Sequence, residues 1–272
     1  MDKSELIKRA FHARRIKELK RFDEGKIFKK KFVFKDRLLK SLILQKVDMK
    51  FIAAICLLTD GSLSIEGNHY RIAYYTKDDV LKSFYYNMLV YLSNYIPSIN
   101  EDKKHVFGVR VSDALLGKKL ILLSPSYKKM PSKNQKAQDY LREIQPSLRF
   151  IENANENTRK WCIRFAFSTD GCISIPKKMN FELTLACYNS NLCKEWIEIL
   201  KEYNITAHLG REKTSWSGVD GIRVFDKGSL MEFVNLGGFV PGVKVTNKSK
   251  YFKGIEKNKV LGILIKKKGP VA

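Results

Sequence analysis

The chain of 272 residues (31.5 kDa) carries 51 Lys and Arg against 28 Asp and Glu, a net charge of +23, with 44% apolar and 11% aromatic residues. That is enough apolar material for one large domain or two small ones, and the excess charge points to a polyanion, nucleic acid before an anionic membrane face. No apolar run reaches the ~18 residues that span a bilayer, and the opening MDKSELIKRAFHARR lacks a secretory-type apolar core.

Residues 1–50 hold 17 Lys and Arg and 7 Asp and Glu, close to half of the net charge. Apolar residues at helical spacing predict a basic helix over Ser4–Phe22, broken by Gly25. This extension, residues 1–47, reads as a phosphate-contacting arm, with a solvated basic face as the alternative. Further on, the chain repeats itself. Ile55–Gly61 (ICLLTDG) recurs as Phe165–Gly171 (FAFSTDG), 110 residues later. The stretch Tyr75–Asp78 before Leu81 recurs as Tyr188–Asn191 before Leu192, and Val109–Asp113 (VRVSD) as Ile222–Asp226 (IRVFD). Three matches in one order mark two related halves, residues 48–152 and 158–258, joined by the polar linker 153–157 and followed by a basic tail, 259–272.

In the first half an apolar helix over about Asp48–Asp60 ends at Gly61, which suits the left-handed residue after a helix. Strands at Ser62–Ile65 and Tyr70–Tyr75, a helix at Val80–Tyr95, and strands at His105–Val111 and Ile121–Leu123 follow. The second half reads as a helix over Thr158–Asp170, strands at Cys172–Ile175 and Phe181–Tyr188, a helix at Leu192–Tyr203, and strands at Ala207–Glu212 and Gly221–Phe225. The expected fold is α+β: two pseudo-symmetric αββαββα halves with antiparallel sheets and helices on one face.

Two helices packed side by side need small residues where they cross, and Ala53, Ala54, Cys56, Ala166 and Ser168 supply them. Both helices would deliver a carboxylate, Asp60 and Asp170, at one end. Two facing carboxylates repel unless a cation sits between them, and oxygen ligands with open positions suit Mg²⁺.

Two copies of a helix ending in Thr-Asp-Gly, one per αββαββα half, resemble the LAGLIDADG homing endonucleases in their single-chain, two-motif form, over roughly residues 48–258. The resemblance implies a monomer whose sheets form a DNA-binding saddle and which hydrolyses one phosphodiester on each strand of double-stranded DNA. It implies Asp60 and Asp170, with Gly61 and Gly171, as ligands of Mg²⁺ or another divalent cation such as Mn²⁺. It also implies a basic residue late in each half near the reaction centre. Lys244 and Lys133 are the candidates, lying 74 residues after Asp170 and 73 after Asp60. Ile55 and Phe165 replace the glycine usual in mid-motif, and Leu58 and Ser168 stand where an acidic or polar residue is common.

One face of each alternating strand is free for groove contacts, which nominates Arg71, Arg110, Lys177, Lys178, Arg211, Lys213 and Arg223 for DNA. The alternative within the same fold is a binding protein that does not cleave, an RNA-splicing maturase on intron RNA or a DNA-binding regulator. Phosphate-binding loops and the GxSxG elbow are missing from the sequence, and the four histidines are scattered without metal-ligand spacing. The five cysteines, Cys56, Cys162, Cys172, Cys187 and Cys193, form no CxxC pair and fit free thiols in a reducing, cytoplasmic setting at the nucleoid.

Overall fold

The computed structural model describes residues 36–267 apart from 94, 175–180, 247–248 and 250–251. The expected helix over Ser4–Phe22 and the candidates Lys177 and Lys178 lie outside the described residues.

The elements run α1 (Arg37–Leu44), α2 (Met49–Leu58), β1 (Gly61–Glu66), β2 (His69–Thr76), α3 (Asp79–Leu92), β3 (Ser98–Glu101), β4 (Phe107–Ser112), α4 (Ala114–Ile121) and α5 (Ala137–Leu141). After a 3₁₀ turn at Arg149–Asn153 come α6 (Glu156–Thr169), β5 (Gly171–Ser174), β6 (Glu182–Ala186), α7 (Ser190–Lys201), β7 (His208–Arg211), β8 (Val219–Val224), α8 (Lys227–Asn235) and α9 (Lys257–Lys267). Each half contains one four-stranded antiparallel sheet, in the matching orders β1-β2-β4-β3 and β5-β6-β8-β7. The αββαββα order therefore occurs twice.

The repeated sequence matches are helix starts as much as strands. Asp78 and Asn189 cap α3 and α7, each accepting from two backbone N–H groups of the first turn. Asp113 and Asp226 cap α4 and α8 in the same way, through Leu116 N at 3.0 Å and Ser229 N at 2.7 Å. A short polar side chain placed before an apolar run fixes where the chain leaves the sheet, so these positions recur in both halves.

Helices α2 and α6 pack against each other at the centre of one continuous core that includes residues of both halves. Ala53, Ala54, Cys56 and Ala166 are fully buried and Ser168 nearly so, as helices in close approach require. At the far end of the pair Asp48 N donates to Thr158 Oγ1 at 3.0 Å, across the two halves. Phe165, in place of a small residue, stacks in a tilted geometry on Phe84 with ring centroids 4.5 Å apart. The helix pair thus accommodates its bulk by packing it outward onto α3.

Two expectations are corrected. Ile121–Leu123 is no strand but the end of α4 and its turn; the third strand is Ser98–Glu101, paired with β4. The extension does not end at residue 47, because Leu39 and Leu42 of α1 are fully buried in the core and Asp36 accepts from Asn87 Nδ2 at 2.8 Å. Within the stretch from 259, Val260, Leu261, Leu264 and Ile265 pack α9 into the same core. In the linker 153–157, Asn153 closes the 3₁₀ turn, Asn155 caps α6 by accepting from Thr158 N at 2.8 Å, and Glu156 and Asn157 are helical.

Candidate active site

Both central helices end on the same device. The Thr59 hydroxyl donates back to Ile55 O and Cys56 O at 3.1 and 3.2 Å, and that of Thr169 to Phe165 O and Ala166 O, both at 2.9 Å. This back-bonding satisfies carbonyls of the last turn and turns the chain toward the sheet. The next residue in each case is the aspartate. Its main-chain carbonyl enters the sheet, Asp60 O accepting from Tyr75 N at 3.0 Å and Asp170 O from Ala186 N at 3.1 Å. Its carboxylate is left to face the other half.

Gly61 and Gly171 do not serve as left-handed helix ends, since neither has positive φ. They are the first residues of β1 and β5, and each lies directly against its own helix. A Cβ on Gly61 would come 2.8 Å from Leu57 Cα, and one on Gly171 only 2.3 Å from Phe167 O. Glycine is required there for close approach of strand to helix end, and that closeness sets the position of the aspartate before it.

Asp60 and Asp170 come together at the ends of the two helices, close enough for each carboxyl to act on the other. Burial and the charge of Asp170 push the Asp60 carboxyl up to about 8, and burial raises Asp170 as well. The pair therefore retains a proton at neutral pH when nothing else neutralises it. Two lysines face it. Lys257, nearly completely buried at the start of α9, donates through Nζ to Gly171 O at 2.7 Å and Ser168 O at 2.9 Å. Burial lowers its own value to about 8, against the attraction of nearby anions including both aspartates. Lys129, from the segment after α4, donates to Thr59 O, and its charge acts on both aspartates. The Ser168 hydroxyl links the same region to the second half, accepting from Val240 N at 2.7 Å and donating to Arg164 O at 2.7 Å.

The donor set at the pair is oxygen only, and burial raises both carboxyls despite the two lysines facing them. Both properties fit a hard divalent cation such as Mg²⁺ or Mn²⁺. Among the described residues no cluster of three or more His, Cys, Asp or Glu side chains could hold a metal. A cation here would take the carboxylates of Asp60 and Asp170 and complete its shell with carbonyl, water or phosphate oxygens.

The two lysines facing the pair are not the two expected from spacing. Lys244 is exposed: its main-chain N donates to Asp78 Oδ2 at 3.0 Å and its backbone forms an isolated antiparallel β-bridge with Glu256. Lys133 is exposed in the turn at Ser132–Gln135. Counting equal distances from each aspartate fails because the connection after α8 is longer than the one after α4. No local signal singles out Lys257, since Lys227 opens α8 in the same way. A lysine opening a helix is unfavourable beside the positive end of the helix dipole, and it is tolerated here because Ser168 O and Gly171 O receive it.

Strand register places the other candidates. The outer face of the first sheet carries Ser62, Ser64, Arg71, Tyr75 and Arg110, while Ile72, Tyr74 and Val109 face the core. On the second sheet Thr184 and Arg223 face outward and Leu183, Leu185, Ile222 and Val224 inward. Arg211 is exposed at a bulge in β7, and Lys213 is exposed in the turn that follows. The first strand of each sheet, β1 and β5, begins at the carboxylate pair.

No family model and no curated protein matches the chain. Among solved structures it is similar to mesophilic variants of the homing endonuclease I-DmoI (15% identity, 69% of this chain and 90% of that one, TM-score 0.47). It is likewise similar to the homing endonuclease I-WcaI bound to its DNA recognition sequence (15%, 76% and 87%, TM-score 0.47). A third is full-length DUF199/WhiA from Thermatoga maritima (10%, 83% and 63%, TM-score 0.49). These neighbours include two homing endonucleases and a protein whose N-terminal domain is itself described as a LAGLIDADG domain.

Proposed function

We propose that this chain is a LAGLIDADG protein that binds double-stranded DNA and cleaves it, as a single-chain, divalent-metal-dependent endonuclease. The observation that carries the reading is the convergence of Asp60 and Asp170 at the ends of two packed, pseudo-equivalent helices, with burial raising both carboxyls. Buried carboxylates placed face to face by two matching Thr-Asp-Gly turns cost stability, and such cost is tolerated where a charged ligand relieves it.

In this reading Asp60 and Asp170 hold the cation. When bound, it polarises the scissile phosphate and lowers the pKa of attacking water. Lys257 and Lys129 fix the carbonyls around the pair and supply positive charge toward a phosphodiester as it becomes more anionic. The outward arginines of the sheets bind phosphates and base edges. One chain holds both halves, so a monomer suffices.

A second reading, a DNA-binding protein that does not cleave, is favoured by one observation. Two ammonium groups already stand near two carboxylates, and Lys257 occupies the Gly171 carbonyl that the family resemblance nominates as a metal ligand.

Binding and cutting of a selected duplex, measured together in Ca²⁺ and then in Mg²⁺, separate the two. The nuclease reading expects binding in both, cutting in Mg²⁺, and loss of cutting without loss of binding in Asp60→Asn and Asp170→Asn. Tight binding in both metals with no cutting in either establishes the second reading.

A further inference from the structure

Arg110 and Arg223 occupy one place twice. Each is an outward residue of an inner strand of its sheet, β4 or β8, Arg110 opposite Ala73 on β2 and Ser98 on β3, Arg223 opposite Thr184 on β6 and His208 on β7. The pseudo-symmetry therefore presents them to equivalent positions on the two arms of a bound duplex. Their surroundings differ in charge.

Arg110 has no carboxylate partner among the described residues. Its guanidinium stands 5.6 Å from the centroid of the Tyr75 ring, and a Cβ on Gly108 would come 3.3 Å from its Nε. The side chain thus leans over a strand position without a side chain, against an aromatic wall. Its Nε is buried with no hydrogen-bond partner. Arg223 is engaged at both ends of its guanidinium. One nitrogen lies 3.0 Å from Asp220 Oδ2 and the other 3.9 Å from Glu182 Oε1. Asp220 itself fills the space over Gly210, where a Cβ would come 2.0 Å from Oδ1.

We infer that Arg110 reads a guanine on one arm of the DNA site and that Asp220 and Glu182 silence Arg223 at the mirrored position. The inference rests on the DNA-binding reading above. The physical case has three parts. A planar guanidinium matches the O6 and N7 acceptors of guanine in the major groove with two parallel hydrogen bonds. Packing against Tyr75 and Gly108 restricts the side chain before DNA arrives, so less freedom is lost on binding. At the mirrored position two carboxylates offset the charge of Arg223 and repel the same acceptor edge, which removes any preference for guanine.

Selection of duplexes from a randomised pool by the full-length protein in Ca²⁺, followed by competition between single-base variants of the selected duplex, tests this. The wild type should favour guanine at one base pair of one arm about ten-fold or more over any other base, the range of a bidentate contact. Arg110→Gln should remove that preference. Arg110→Lys should remove it too while retaining most of the overall affinity, because an ammonium keeps the charge but not the fork. Arg223→Gln should leave it intact. The double substitution Glu182→Gln with Asp220→Asn should create a guanine preference at the mirrored base pair. A guanine preference that survives Arg110→Gln and Arg110→Lys overturns the inference, as does one removed equally by Arg223→Gln. A wild-type protein that selects no duplex at all overturns the DNA reading instead, so the two failures are distinct.

Discussion

At the scale of single residues, the shared proton of Asp60 and Asp170 makes stability depend on pH. Asp60 has an ordinary value of 3.8 and a native value of about 8, so between those limits the folded protein holds a proton that the unfolded chain releases. Its contribution is complete below pH 3.8 and is lost as pH rises toward 8, at up to about 1.4 kcal/mol per pH unit. Lys257 acts in the opposite sense and only above pH 8, where the folded protein loses its proton before the unfolded chain does at 10.5. Metal-free protein should therefore melt at progressively lower temperature from pH 5 to pH 8, and millimolar Mg²⁺ should reverse most of the loss at pH 8. Asp60→Asn should flatten the metal-free profile and be more stable than wild type at pH 8. Calorimetry across that range checks both expectations; a flat wild-type profile contradicts the buried pair. Lys257→Met keeps the buried stem but leaves Ser168 O and Gly171 O without this donor. Denaturant unfolding should register a loss of about 1–3 kcal/mol.

At the scale of elements, the join between helix and strand is the sensitive part. Gly171→Ala drives a methyl group to within 2.3 Å of the Phe167 carbonyl, and Gly61→Ala to within 2.8 Å of Leu57 Cα. Because the obstacle is backbone, the helix end must move. Gly171→Ala should cost about 2 kcal/mol or more and exceed Gly61→Ala, with thermal melting as the readout. What was legible in the sequence follows the same line. The repeat located both helices, both aspartates and most strands, because those rest on local signals: apolar runs, capping side chains and short alternating strands. The glycines were found, but their role was misread, since a left-handed turn and a close approach leave the same letter in the sequence. Ser98–Glu101 was missed as a strand because all four of its residues are exposed, so no alternation marks it. The two lysines facing the carboxylates come from segments that are not repeated at equal spacing. Their positions depend on tertiary packing of α9 and of the loop after α4, which spacing cannot encode.

At the scale of the molecule, the positive charge is divided between residues 36–272 and residues 1–35, which carry 13 Lys and Arg against 5 Asp and Glu. If those residues meet phosphates, the slope of log K against log salt should be steep, about −0.9 per phosphate neutralised. Removing residues 1–35, and not 1–47, should flatten the slope while leaving base preference in place, because α1 is part of the core and must be retained. Fluorescence anisotropy over a salt series measures both slopes. An unchanged slope assigns those lysines to a solvated surface away from DNA.

The covalent join between the halves has a consequence for how this protein can change. In an assembly of two identical subunits, one codon sets a residue on both sides of the axis, and every improvement on one side is imposed on the other. Here mirrored positions have separate codons. Asp78 and Asn189 have already parted while keeping one task, capping a helix. Arg110 and Arg223 have kept one identity while their neighbourhoods parted. The shared core limits this freedom where α2 crosses α6, since a substitution there is felt by both halves at once. Drift is therefore expected to be fast on the outer faces of the sheets and slow along the central helix pair, and a chain of this kind can acquire a new asymmetric target one arm at a time.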